Sequence, residues 1–443
     1  MGEDSLPGYR GRLRKALEDA RAGIGDLLRV ETPKRSYDGT LMPRLESADE
    51  WHIVLKLKSG YNIGVAFDER TKIVRLGQAE KPEFRPPSLP EMKRGLPRVS
   101  IISTGGTIAS RVDYITGGVH AAISSRDLLS IVPELSDIAV VDADILYSVF
   151  SENIDAEHWS GMARRVSDKI NGGAEGVVIT HGTDTMGYSS AALSFALRGL
   201  PVPVIFVGSQ RSSDRPSSDA ATNLVGVVTA AARAPFAEVT LGMHETTSDT
   251  GIVFHRGTKV RKCHTSARYA FQSVNAEPLA RFSDGKVEMV AEDYRKRGEG
   301  ELEVMDHFER KVALIKFHPG FDPKIIDWHV DEGYRGVVLE GTGLGHVNTR
   351  LYGSIERAVR EGLYLGMTSQ CIWGRVDMDV YTTGRELQQI GVQPLGDMLP
   401  ETALVKLMWT LGYAEDADGA REVMGRNVAG EYSDRTLYAW RHV

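Results

Sequence analysis

Five apolar, β-branched runs punctuate the chain beyond residue 97, and their rhythm restricts the fold more than any other feature. They are RVSIIST (98–104), AEGVVITHG (174–182), VPVIFVGSQ (202–210), KVALIKFHPG (311–320) and RGVVLEGTG (335–343). Each has the length of a strand buried on both faces, and each leads into glycine and polar residues. Helical spacing fills the intervals, as in Trp159, Met162, Val166 and Ile170 ahead of Gly172 and Gly173. Strand, helix, strand repeated in this way predicts an α/β body with mostly parallel sheets and helices on both faces. Ligands in such folds bind beyond the carboxyl ends of the strands, so the chemistry is sought just after the runs.

The first hundred residues obey a different grammar. Leu13, Ala16, Leu17 and Ala20 follow amphipathic helical spacing, ended by Gly23 and Gly25. Apolar and polar residues then alternate in GDLLRVET and in WHIVLKLKSGYNIGVAFD, which predicts a small β-rich, barrel-like domain of antiparallel strands. Prolines 82, 86, 87, 90 and 97 crowd the stretch that follows, favouring extended backbone and marking a linker. The expected organisation is a β-rich domain at 1–80, a proline-rich linker at 81–97, an α/β domain at 98–310 and a smaller α/β domain at 311–443.

Composition narrows the function. No apolar run approaches the ~20 residues of a membrane span, and the start lacks the apolar core of a signal peptide, so a cytoplasmic location is expected. Cys263 and Cys371 are the only cysteines and are read as ordinary buried thiols, too few for a disulfide framework or a thiolate cluster. The twelve histidines adopt no metal-ligand spacing, so no metal site is expected. A net charge of −7 speaks against a broad basic face for nucleic acid. No phosphate-binding GxxxxGK[ST] loop occurs, and Gly341-Thr342-Gly343-Leu344-Gly345 reads as a turn at a site mouth or an interface.

Two strand ends stand out. The first run leads into Thr104-Gly105-Gly106-Thr107-Ile108-Ala109, where paired glycines let backbone N–H groups approach a ligand. The second ends in Thr180-His181-Gly182-Thr183-Asp184-Thr185-Met186, which sets a hydroxyl beside a carboxylate. One glycine pair after a strand is a common structural turn; two threonine-rich ends suggest a site. A threonine hydroxyl is a weak nucleophile and needs a base such as Lys or Tyr to draw off its proton. Lys262 is a candidate, although taken alone it reads as a solvated surface lysine. His181 reads as a histidine holding its loop by hydrogen bonds, and GSQRSSDRPSSDAATN as a site rim or an interface.

From about residue 98 onwards the chain resembles the L-asparaginase and glutaminase family, whose two signature segments TGGTIA and THGTDTM are present intact. The resemblance implies that Thr107 is the nucleophile, with Tyr114 in VDYITGG helping to deprotonate it. It implies a hydrogen-bonded set of Thr183, Asp184 and Lys262. Ser151 and Glu152 in FSENID match the segment that grips the substrate's α-carboxylate and α-amino groups, where the family often carries Gln in place of Glu152.

Plain asparaginases lack residues 1 to about 97. A small β-rich module, a proline linker and an asparaginase-like body together resemble the D-subunit family of archaeal-type glutamyl-tRNA(Gln) amidotransferases, over nearly the whole chain. SYDGTLMPR and AGEYSDRT are softer parts of that resemblance. It implies a glutaminase that draws ammonia from glutamine, or asparagine, and passes it to a partner, the amidotransferase's E-type subunit. That partner uses ATP and Mg to amidate the glutamate of Glu-tRNA(Gln), and this chain needs no cofactor of its own. A homodimeric core within a heterotetramer is implied, with most tRNA contact assigned to the partner. The competing readings are a free-standing cytoplasmic L-asparaginase with a regulatory N-terminal module, and a non-catalytic amino-acid sensor.

Overall fold

Alternating apolar residues in the N-terminal part build an antiparallel sheet around their own core. The computed structural model describes residues 5–44, 48–58, 62–78, 95–106, 110–112, 119–121, 128–129, 132–211 and 218–435. Strands β1 (Asp26–Glu31), β2 (Ser36–Leu41), β3 (His52–Leu57), β4 (Asn62–Ala66) and β5 (Lys72–Gln78) lie in the order β4-β3-β2-β1-β5. Leu28, Val30, Leu41, Ile53, Leu55 and Val65 point inwards, and the helix Gly11–Asp19 closes the core with Leu13 and Leu17. The sequence shows β1, β3 and β4 plainly. SYDGTL becomes β2 for a less legible reason: Gly39 sits so close to Lys56 O that a Cβ would lie 2.7 Å from it. Of the proline-rich stretch, residues 81–94 lie outside the described residues.

The larger body starts at β6 (Arg98–Ser103). A short antiparallel pair, β7 (Ser110–Val112) and β8 (Val119–Ala121), follows it. β9 (Val140–Ile145), β10 (Gly176–Thr180), β12 (Val204–Val207) and β13 (Val239–His244) join β6 in parallel, in the order β9-β6-β10-β12-β13. β14 (Gly251–Arg256), β17 (Ala280–Ser283) and β18 (Lys286–Met289) extend the sheet antiparallel to eight strands. Alternation decides which face each side chain joins. Ile101, Val178, Ile205 and Val207 pack under the helix Ala220–Arg233, while Ile102, Val177, Ile179 and Phe206 pack under the helices Ala156–Asn171 and Met186–Ala196. Besides the β7–β8 pair, two more small sheets stand outside this one: β11 (Leu197–Arg198) with β19 (Glu303–Val304), and the hairpin of β15 (Val260–Lys262) with β16 (Phe271–Ser273).

The last two apolar runs form β20 (Val312–Lys316) and β21 (Gly336–Gly341), joined in parallel by β22 (Tyr364–Ser369) and β23 (Gln393–Pro394). The helix Pro400–Leu411 lies between the two bodies. Its Ala403, Leu407 and Leu411 enter the core of the four-stranded sheet, while Val405 and Trp409 enter that of the eight-stranded one. No described helix is long and apolar enough to cross a membrane. The cysteines depart from expectation: Cys263 and Cys371 are both exposed. Each lies just past the end of a strand, β15 and β22, where the chain has left the core.

Candidate active site at the carboxyl ends of β6 and β10

β6 and β10 run side by side with Ser103 opposite Thr180, so the two threonine-rich segments leave the sheet together. Thr104 ties them at once: its N–H and its hydroxyl both donate to Thr180 O, at 3.0 and 2.9 Å. The two glycines that follow are required by what they face. Gly105 (φ +115°) and Gly106 (φ +82°) adopt the left-handed region, and a Cβ on them would fall 2.2 Å from Val149 O and 2.7 Å from Gly182 N. The two segments therefore touch backbone to backbone where Gly106 meets His181 and Gly182.

Beyond Gly182, Thr183 and Asp184 meet Lys262. The lysine Nζ donates to Thr183 Oγ1 at 2.9 Å and to Asp184 Oδ1 at 2.7 Å. The Lys262 side chain is 15% exposed and that of Asp184 71%, so the Asp184 side chain is open to solvent while the lysine is largely covered. Thr183 packs on its other side against Gly208, where a Cβ would meet its Cγ2 at 2.8 Å. Ser151 is buried against Gly182, and its carbonyl accepts the Thr185 hydroxyl at 2.6 Å. Glu152 lies exposed on the short 3-10 turn Ser151–Asn153, beside the exposed ring of Phe150. The helix Met186–Ala196 starts right after Thr185, so its positive end faces the same place.

Of the residues singled out from the sequence, Ser151, Thr183, Asp184 and Lys262 come together here, with Glu152 at the edge. Thr107 and Tyr114 lie outside the described residues. His181 supports the loop from below. Its Nδ1 lies 2.6 Å from Gly182 O, and its Nε2 2.8 Å from Ser189 Oγ, which accepts the Trp159 indole N–H at 3.0 Å. Burial holds the imidazole down to a pKa of about 4, so it is neutral at pH 7.

Sequence reasoning missed two braces. Asp219, fully buried, accepts the N–H groups of Gln210 at 3.1 and 3.0 Å and of Arg211 at 3.0 Å. Asn223 donates to Gly208 O at 3.0 Å and to Asp219 at 3.1 Å. Together they hold Gly208 to Arg211 against Thr183. The signal was an Asp and an Asn four residues apart at the start of a helix, inside the segment read as a rim. Residues 212–217 of that segment lie outside the described residues.

Three family models match the chain: "Asparaginase, N-terminal" at residues 98–295, "Glutaminase/Asparaginase C-terminal domain" at 311–424, and "GatD N-terminal domain" at 22–76. The D subunit of glutamyl-tRNA(Gln) amidotransferase from Methanothermobacter thermautotrophicus is 52% identical over 98% of this chain and 99% of that protein. Its counterpart from Pyrococcus abyssi is 49% identical over 96% of this chain and 99% of its own. The chain belongs to the D-subunit family of glutamyl-tRNA(Gln) amidotransferases. Solved structures repeat the core of this family. The thermostable L-asparaginase from Thermococcus kodakarensis superposes with a TM-score of 0.70 at 32% identity, covering 76% of this chain and all of that one. L-asparaginase I from Vibrio cholerae gives 0.68 at 27% identity, covering 76% and 99%. The chain thus combines an asparaginase-like α/β body with the N-terminal β-rich domain of the D-subunit family.

Proposed function

We propose that this chain is the glutaminase of a tRNA-dependent amidotransferase, releasing ammonia that a partner protein uses to convert Glu-tRNA(Gln) into Gln-tRNA(Gln). The observation that carries the reading is the contact of Lys262 Nζ with both Thr183 Oγ1 and Asp184 Oδ1, beside the Gly105-Gly106 turn. Amide hydrolysis needs a nucleophile, a proton acceptor and a cradle for the oxyanion. Thr107 supplies the attacking hydroxyl, with Tyr114 assisting its deprotonation. Thr183, Lys262 and Asp184 form the proton-handling group: Asp184 orients the lysine, and the Lys262–Thr183 hydrogen bond is the route for the proton. Backbone N–H groups near Gly105 and Gly106 face the carbonyl oxygen as it gains charge. The proton taken from Thr107 is delivered to the amide nitrogen as the C–N bond breaks, so ammonia leaves, and water then cleaves the acyl-threonine ester, releasing glutamate and restoring the hydroxyl.

Ser151 and Glu152 bind the α-carboxylate and α-amino groups of glutamine. ATP and Mg act at the partner, the E-type subunit, within a heterotetramer built on a homodimer of this chain, in the cytoplasm. The N-terminal domain favours this reading over a free-standing L-asparaginase, because the matching asparaginases cover 76% of the chain and the D-subunit relatives nearly all of it.

The test is ammonia release from glutamine and from asparagine by the full-length chain, with and without the partner, ATP and Glu-tRNA(Gln). Release from glutamine that rises steeply with the full mixture, and disappears in Thr107→Ala and Thr183→Ala, is the expected result. Brisk asparagine hydrolysis that ignores the mixture overturns it in favour of an asparaginase.

A further inference from the structure

The hairpin that carries Lys262 forms a sheet of its own, held on one side by Val260 and Phe271 in the core beside the eight-stranded sheet and by the His255–Ser273 contact at 2.8 Å. Its base is also fastened to the C-terminal half. Thr402 donates its hydroxyl to Thr258 O at 2.9 Å, and Arg261 reaches Glu401 at 3.2 Å. Asn275, just past β16, donates to Gly374 O at 2.9 Å and to Asp397 O at 3.2 Å, and accepts the Gly374 N–H at 2.9 Å. Between these contacts Lys259 Nζ donates to Asp397 Oδ2 at 2.7 Å, and both side chains are only 1% exposed. The other oxygen of Asp397 accepts the Ser433 N–H at 3.0 Å, and Ser433 Oγ donates to Asn275 O at 3.0 Å. Ser433 lies in AGEYSDRT, the C-terminal segment that the proposed chemistry leaves unused.

An ion pair buried this deeply adds little net stability over an apolar pair of the same volume, because both ions lose their water. What such a pair supplies is direction: a fixed distance and angle between two bodies. Lys259 lies three residues before Lys262 on the same short run, so that direction is passed to the lysine whose Nζ meets Thr183 and Asp184.

We propose that Lys259 and Asp397 are positioning residues for Lys262, through which the C-terminal half and its AGEYSDRT segment set the geometry of ammonia release. The inference rests on the reading of Thr183, Asp184 and Lys262 as the proton-handling group. An error of about 1 Å in the placement of a proton-transferring group lowers a chemical rate by up to ~100-fold. The effect therefore falls on kcat and leaves KM nearly unchanged.

The test is the paired substitution Lys259→Met with Asp397→Leu in the full-length chain, which removes both charges and leaves neither unpaired. Thermal unfolding and ammonia release from glutamine are measured for the pair and for Lys262→Ala. The expected result is a folded protein with Tm near that of the parent, kcat lowered about tenfold or more and KM within about threefold. A folded protein with kcat within about twofold of the parent, or one changed in KM alone, overturns the proposal. Where the pair does not fold, Lys259→Met with Asp397→Asn keeps an acceptor for the Ser433 N–H while removing both charges, and is judged by the same criteria. Lys262→Ala separates the two levels: full activity in that variant overturns the functional reading itself, whereas loss of activity there with a fully active pair overturns only the positioning role.

Discussion

His181 and His255 are buried without a counter-ion, and their burial makes the folded state sensitive to acid. Burial holds His181 at a pKa of about 4 and His255 at about 3, against an ordinary value near 6.5. Both are therefore neutral in the fold and protonated in the unfolded chain below pH 6.5. Their contribution is complete above that pH and is lost as pH falls towards 4 for His181 and towards 3 for His255. For His181 the shift corresponds to about 3 kcal/mol. Denaturant unfolding between pH 7 and pH 5 should show the decline, with about two protons taken up per chain at pH 5.5 from these residues. A stability flat over that range contradicts it. Gly106 gives a second expectation at this scale. Gly106→Ala forces a Cβ to within 2.7 Å of Gly182 N at a positive φ, so it should destabilise by about 1–3 kcal/mol and lower ammonia release. That the segments of Gly105-Gly106 and Thr183 meet was legible because two threonine-rich ends follow apolar runs, whereas one glycine pair after a strand is a common structural turn. The Lys259–Asp397 pair was not legible, because its partners are 138 residues apart and nothing local marks a lysine that will be buried.

Among the elements, all five apolar runs became strands, and the helix Ala156–Asn171 buries Trp159, Met162 and Val166 as its spacing indicates. Long periodic segments carry their own signal. The hairpin β15–β16 does not, since three-residue strands are too short to show alternation and their place is set by contacts with both the first core and the C-terminal half. The loop Gly208–Arg211 is a similar case, shaped by a carboxylate that follows it. Asp219→Ala would remove the carboxylate that the N–H groups of Gln210 and Arg211 share, a loss of about 0.5–1.5 kcal/mol for each hydrogen bond. Because the loop also backs Thr183, the variant should lose ammonia release more steeply than it loses thermal stability. Parallel measurements of Tm and kcat decide the point, and an unchanged kcat contradicts the bracing role.

At the scale of the molecule, the N-terminal domain closes a core of its own from Leu6 to Val65. Deletion of residues 1–97 should therefore leave the asparaginase-like body folded and able to release ammonia from glutamine, while amidation of Glu-tRNA(Gln) with the partner is lost. Calorimetry and the coupled assay check both halves, and intact coupled amidation contradicts a role for the domain in the complex. Domain order was readable from the change of grammar near the prolines. The intimacy of the two halves of the body was not, because helical spacing alone does not reveal that both sides of Pro400–Leu411 are buried. That shared helix has a consequence during synthesis. The apolar hollow that receives Val405 and Trp409 belongs to strands and helices made long before it, so the first half of the body waits with that hollow open while the ribosome works. Folding of the body is completed only once residues 400–411 have been made, and a nascent chain halted before residue 400 presents a sticky, unfilled surface to its neighbours and to chaperones.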